Sequence, residues 1–85
     1  MKLDNRIAEL IAIGSSVTAN CQPCLQYHVD KALEGGASAS EIAQAIEVAK
    51  MVRKGAAAKM DKFAANMSKS APANAGVPGE GCGCS

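Results

Sequence analysis

The chain has 85 residues, a formal charge of +1 from nine Lys+Arg against eight Asp+Glu, and 48% hydrophobic but only 2% aromatic residues. That length holds one domain. The charges are interspersed, with no basic stripe carrying interleaved aromatics, which argues against a nucleic-acid surface. No apolar run approaches the roughly 20 residues that span a bilayer. Asp4, Asn5, Arg6 and Glu9 interrupt the apolar pattern of the first segment, so it is not expected to act as a secretory signal, and a soluble, cytoplasmic protein is expected.

Tyr27 and Phe63 are the only rings, and alanine fills 17 positions. Small side chains bury little area each, at about 25 cal/mol per Å². A lone monomer is therefore expected to be marginal, and assembly as a homo-oligomer is the expected remedy.

The first predicted helix runs from Leu3 to about Ala19, with Leu3, Ile7, Leu10, Ile11, Gly14 and Val17 as its apolar stripe. Glu9 falls on the flank of that stripe, where partial burial is expected. Asn20 is the predicted N-cap of a second helix, Cys21 to about Glu34, with Pro23 in the first turn, where its missing N–H is not needed. Gly35-Gly36 supply the stop. Ser38 with Glu41 three residues later predicts a capping box for a third helix, with Ile42, Ala45, Ile46, Ala49 and Val52 as its stripe. Gly55 is expected to separate it from a fourth helix, Ala56 to about Ser68, although one continuous helix through Gly55 costs only roughly 1 kcal/mol. Met51, Met60 and Met67 read as packing residues, since no His or Cys accompanies them.

From residue 70 onward the composition turns to Gly, Pro and Ala without periodicity, predicting a flexible tail over 70–85 behind a helical domain over 1–69. No segment shows strand alternation. The expected fold class is all-α, with about four helices.

Four cysteines fall as two close pairs, Cys21/Cys24 and Cys82/Cys84. In a reducing compartment, close pairs point to redox chemistry or metal binding rather than to a disulfide framework. Offsets of three, four and seven put Cys21, Cys24 and His28 on one face of the second helix. Both sulfurs lie in its first turn, where unpaired N–H groups and the helix dipole favour a thiolate. His28, one turn on, is placed as a base or proton relay. Such a relay is useful because the thiolate is the nucleophile and the leaving group must be reprotonated. Tyr27, beside His28, reads as a core or interface ring.

The span Glu9-x11-Cys21-x2-Cys24-x3-His28, followed by Gly36, Glu41 and Ile42, resembles the active-site pattern of the alkylhydroperoxidase D-like proteins, a branch of the carboxymuconolactone decarboxylase superfamily. The likeness covers about residues 7–55. It implies an all-helical protein, assembled as a trimer or hexamer, with no bound cofactor. Cys21 and Cys24 would form the redox pair, and His28 and Glu9 would belong to its proton relay. The resemblance further implies reduction of a hydroperoxide or disulfide, with electrons from a dihydrolipoamide-type dithiol or a thioredoxin-like protein. Two features depart from the pattern: Gln22-Pro23 stands where members often carry a further histidine, and Cys82-x-Cys84 has no counterpart. That last pair is a candidate auxiliary redox pair. A second reading, a non-catalytic protein binding Zn²⁺, Cu(I) or trivalent arsenic through its thiols and His28, follows from the softness of thiolate donors.

Overall fold

A computed structural model of the chain describes residues 2–70, which form three helices: α1 (Asn5–Thr18), α2 (Gln22–Glu34) and α3 (Ala39–Ser70). No strand occurs among the described residues, so the all-α expectation holds. The expected break at Gly55 is absent, and the third and fourth predicted helices are one element of 32 residues. An added Cβ on Gly55 would meet nothing within 4 Å, so the residue sits on an open stretch of helix. There glycine costs only its backbone entropy, roughly 1 kcal/mol, and the good helix formers around it, including Ala56, Ala57 and Ala58, carry the helix through.

The helix ends obey local rules. Asp4 caps α1 by accepting from the Ile7 N–H at 2.8 Å. At the other end Asn20 takes a left-handed backbone (φ 58°), the Asn20 N–H donates to Val17 O, and the Cys21 N–H donates to Ser16 O. That pairing is a Schellman stop with asparagine at the left-handed position. Asn20 therefore ends α1 instead of capping α2, and the N-cap of α2 is Cys21. The same device ends α2, where Gly36 (φ 93°) lets the Ala37 N–H reach Ala32 O. The capping box at α3 forms as the spacing predicts: the Glu41 N–H donates to Ser38 Oγ and the Ser38 N–H to Glu41 Oε1, each at 3.0 Å.

The core is small and gathers where α1, α2 and the start of α3 meet. Ile13 and Ala32 are fully buried, Ala37 and Ile42 nearly so, with Leu10, Leu25, Val29, Ala45 and Ile46 partly buried around them. The centre of α1 is thus Ile13, which lies off the predicted stripe, while Leu3 and Ile11 from that stripe are about half exposed. The apolar arc of α1 is wider than two neighbouring helices cover. Its Ile13 side faces the core, and its Ile7/Ile11/Thr18 side borders an open groove of about 660 Å³ against Ala45, Val48 and Val52 of α3.

Two polar clamps fix α3 against α1. The Arg6 guanidinium pairs with Glu41 at one end. At the other, Arg53 Nη1 donates to Val17 O (3.0 Å) and Asn20 Oδ1 (3.1 Å). Residues 6, 17, 41 and 53 therefore run in the same sense along both helices, so α1 and α3 are parallel. Past residue 50 every described side chain of α3 up to Lys69 is exposed. The distal half of the helix projects from the body, and the molecule reaches 56 Å along its long axis.

The Ser38 backbone N–H, helped by the Arg6 charge and opposed by desolvation, holds the Glu41 carboxyl below its ordinary value of 4.5. A depressed folded-state value means that Glu41 contributes stability fully above the ordinary value, and that the contribution is lost as pH falls through the folded one. Thermal unfolding from pH 6 to pH 3 is expected to show wild type more stable than Glu41→Gln at the neutral end. The gap should close as pH falls below the ordinary carboxyl value of 4.5, because glutamine keeps the cap acceptor but not the titrating charge.

Candidate functional site

The reversal between α1 and α2 decides where the sulfurs stand. Because the Schellman stop spends Asn20 and the Cys21 N–H on closing α1, the next residue available to open α2 is Cys21 itself. Its backbone is extended (φ −106°, ψ 98°), and its Sγ accepts from the Cys24 N–H at 3.3 Å, in the place of a hydroxyl cap. Pro23 pre-sets the first turn. Cys24 then lies three residues on, with Cα atoms 5.3 Å apart, and the two sulfurs are joined as a disulfide. That separation is within the range a disulfide requires, so the pair closes on an ordinary helix start.

The exposure of the two cysteines differs from what the helix start alone implies. Cys21, placed nearer solvent by its position, is half-buried, while Cys24 is exposed. The turn folds Cys21 back toward Ser16, Val17 and Arg53, with which it lines a small cavity of about 220 Å³. Cys24 faces outward on the first turn.

One further turn along α2 comes His28. Its Nδ1 is 2.6 Å from Glu9 Oε1 of α1, with the two side chains 29% and 25% exposed. A carboxylate oxygen only accepts, so Nδ1 carries the hydrogen of this contact, and in the neutral imidazole the lone pair for proton transfer is then on Nε2. The contact also bridges α1 and α2, tying the relay to the same helix pair that sets the cysteines. Tyr27 packs edge-on against the imidazole, ring centroids 5.1 Å apart at 82°, and the Lys31 ammonium lies 5.6 Å from the Tyr27 centroid. Tyr27 itself is 56% exposed, so it is a surface ring at the site and not a core residue of this chain.

Cys21, Cys24 and His28 line one depression of about 450 Å³, walled on the α1 side by Ala8, Ala12, Ser16 and their neighbours. Small residues on that wall leave room above the sulfurs. The structure thus brings Cys21, Cys24, His28 and Glu9 together. Cys82 and Cys84 lie outside the described residues. Among the described residues no group of three or more His, Cys, Asp or Glu side chains is arranged to hold a metal ion, so the thiolate metal reading would have to recruit the second cysteine pair. No helix among the described residues is long and apolar enough to cross a membrane.

Arg53 is the residue that sequence reasoning passed over. It stands one helical turn beyond Ala49, on the side of α3 that faces α1, and holds the Asn20 turn from which Cys21 starts. An arginine continuing a line of buried small residues was the available signal. Its planar fork suits two acceptors at once.

Compared with known proteins, residues 1–65 match the carboxymuconolactone decarboxylase family. No curated protein and no solved structure matches the chain.

Exposure orders the two thiols. In a Cys82→Ser/Cys84→Ser background, brief alkylation of the reduced protein is expected to label Cys24 several-fold faster than Cys21, read by peptide mass spectrometry. Equal rates would mean that the first turn does not distinguish them.

Proposed function

The chain belongs to the carboxymuconolactone decarboxylase family, and we propose that within it this protein is a thiol–disulfide oxidoreductase of the alkylhydroperoxidase D-like branch, reducing organic hydroperoxides or disulfides in the cytoplasm. The observation that carries the proposal is the joint placement of a closed Cys21–Cys24 pair and a Glu9-bound His28 around one depression. A decarboxylase has no use for a pair of vicinal sulfurs able to open and close, whereas a two-electron thiol cycle requires one.

In the proposed cycle the exposed Cys24 attacks first. His28 Nε2 takes the Cys24 proton, and the thiolate sulfur attacks the terminal oxygen of the hydroperoxide. The O–O bond breaks, Cys24 becomes a sulfenic acid, and the leaving alkoxide takes a proton from His28 to depart as the alcohol. The Cys21 sulfur then attacks the sulfenic sulfur, forming the disulfide and releasing water. The backbone at the N-cap already holds the two sulfurs close enough for this step. An external dithiol of the dihydrolipoamide type, or a thioredoxin-like protein, reduces the disulfide through a mixed disulfide and leaves oxidised. Glu9 keeps the imidazole in one tautomer and orientation and stabilises it while it carries the extra proton, as the third member of a nucleophile–base–orienter series does. Cys82 and Cys84 enter the proposal as an auxiliary dithiol, exchanging with the core pair and reset by the external donor.

The test is turnover of an organic hydroperoxide by the reduced, metal-free protein, with dihydrolipoamide regenerated by an NADH-coupled reductase. Wild type should turn over, and Cys24→Ser should not. His28→Ala should lose roughly 100-fold or more, the usual scale of acid–base assistance. Glu9→Gln should lose on the order of tenfold, about 1.4 kcal/mol of barrier. Clean closure of the Cys21–Cys24 disulfide without peroxide turnover would reassign the protein as a disulfide carrier. Failure of the disulfide to form would end the redox reading. A Cys82→Ser/Cys84→Ser variant as fast as wild type with every donor would remove the tail from the cycle.

A further inference from the structure

Arg53 is the charged residue on the wall of the small cavity that Cys21 also lines, beside Val17, Asn20 and Leu25. Its two hydrogen bonds both leave from Nη1 and end on neutral oxygens, Val17 O and Asn20 Oδ1. Nη2 and Nε make no hydrogen bond among the described residues. The ion pairs among those residues are Arg6–Glu41, His28–Glu9, Lys31–Glu34 and Lys50–Glu47, and none involves Arg53. A guanidinium bonded to the residue next to Cys21 thus stands without a counter-charge while the two sulfurs are joined.

We infer that Arg53 is the electrostatic partner of the Cys21 thiolate, formed when the disulfide opens, and that it acts through Cys21 on both halves of the thiol cycle proposed above, on which this use of it rests. The helix start alone is a weak source of that stabilisation. Pro23 has no N–H to offer in the first turn, and the bond to Cys21 Sγ comes from the Cys24 N–H at 3.3 Å. On α2 the titratable neighbours are Cys24 and His28; on α1, Glu9 is bonded to His28; on α3 the charge is Arg53. The two sulfurs therefore have different partners. His28 carries protons for Cys24, whereas the guanidinium beside Cys21 is a fixed cation that stays charged at any working pH. Access and charge are separate here: Cys24 meets solutes first, and Cys21 holds the negative charge once the bond is open.

In the reductive half, a thiolate of the external dithiol, its proton lost to water, attacks the exposed Cys24 sulfur. The S–S bond breaks and Cys21 leaves with the bonding pair as a thiolate. A less basic leaving thiolate departs faster, so the cation beside Cys21 directs the donor to Cys24. The second donor thiol gives its proton to His28 and attacks the donor sulfur of the mixed disulfide. Cys24 leaves and takes that proton, and the donor departs as its disulfide. In the oxidative half, the Cys21 thiolate attacks the Cys24 sulfenic sulfur, and the expelled hydroxide takes a proton from solvent to become water. Each turn thus returns the proton that reduction released.

Titration of Cys21 tests this without peroxide or donor, so failure of the peroxidase reading and failure of this inference are told apart. In a Cys24→Ser/Cys82→Ser/Cys84→Ser parent, Cys21 is the one thiol of the full chain, and its ionisation is read from the iodoacetamide rate against pH. Arg53→Gln keeps amide donors for Val17 O and Asn20 Oδ1 but removes the charge. It is expected to move the midpoint upward and to slow alkylation at neutral pH several-fold. Arg53→Lys keeps the charge and should stay near the parent. Raising sodium chloride should move the parent midpoint upward and leave that of Arg53→Gln in place, because Arg53 is exposed and its field is screened by salt. With Cys24 restored, Arg53→Gln should shift the equilibrium with dithiothreitol several-fold toward the Cys21–Cys24 disulfide. A residue that only holds the turn would leave the parent midpoint insensitive to salt. That result, an Arg53→Gln midpoint equal to the parent's, or an Arg53→Lys midpoint displaced as far as that of Arg53→Gln would overturn the inference.

Discussion

The turn at Ala19–Cys21 is the constraint on which the rest of the molecule depends. Reversing the chain in so few residues requires one left-handed residue, and Asn20 supplies it at a lower cost than most side chains would. Once the backbone N–H groups of Asn20 and Cys21 are committed to α1, Cys21 is left as the starting residue of α2, and the position of everything downstream is set. Cys24 takes the first turn and His28 the second. The antiparallel return along α1 brings His28 level with Glu9. Arg53 then locks the turn from the far side by reaching the Val17 carbonyl and the Asn20 amide oxygen. A substitution at Asn20 or Arg53 therefore acts on the sulfurs without touching them.

Much of this was legible in the sequence because it follows from local chemistry. The capping box at Ser38/Glu41, the glycine stop after Glu34 and the one-face placement of Cys21, Cys24 and His28 depend on spacings of three and four residues, and the structure has each of them. The N-cap was misassigned by one residue for an instructive reason. Asparagine is favoured both as an N-cap and as a left-handed stop, and the spacing alone does not say which helix it serves. The number of helices was misread at Gly55, where a weak local preference for a break met a run of good helix formers with nothing packed against them.

What the sequence did not reveal is what depends on distance in space. Ile13 is the centre of the core because α2 returns over that side of α1, and no periodicity within α1 distinguishes Ile13 from Ile11. Arg6 with Glu41, and Arg53 with the Asn20 turn, join residues more than thirty positions apart. The Glu9–His28 contact was legible only as a family resemblance, since the return of α2 along α1 had first to be known. A core with one large fully buried side chain among the described residues, Ile13, leaves much of the helices' apolar surface uncovered by the rest of the described chain.

The edge-on packing of Tyr27 against His28 has a practical consequence. The chain contains one tyrosine and no tryptophan, so its intrinsic ultraviolet emission comes from a single ring. That ring is adjacent in sequence to the imidazole and one helical turn from Cys24. Disulfides and protonated imidazoles quench phenol emission, so opening the sulfur bridge and titrating the imidazole both register in the same unlabelled signal. The protein carries its own optical reporter at the place where its chemistry is concentrated.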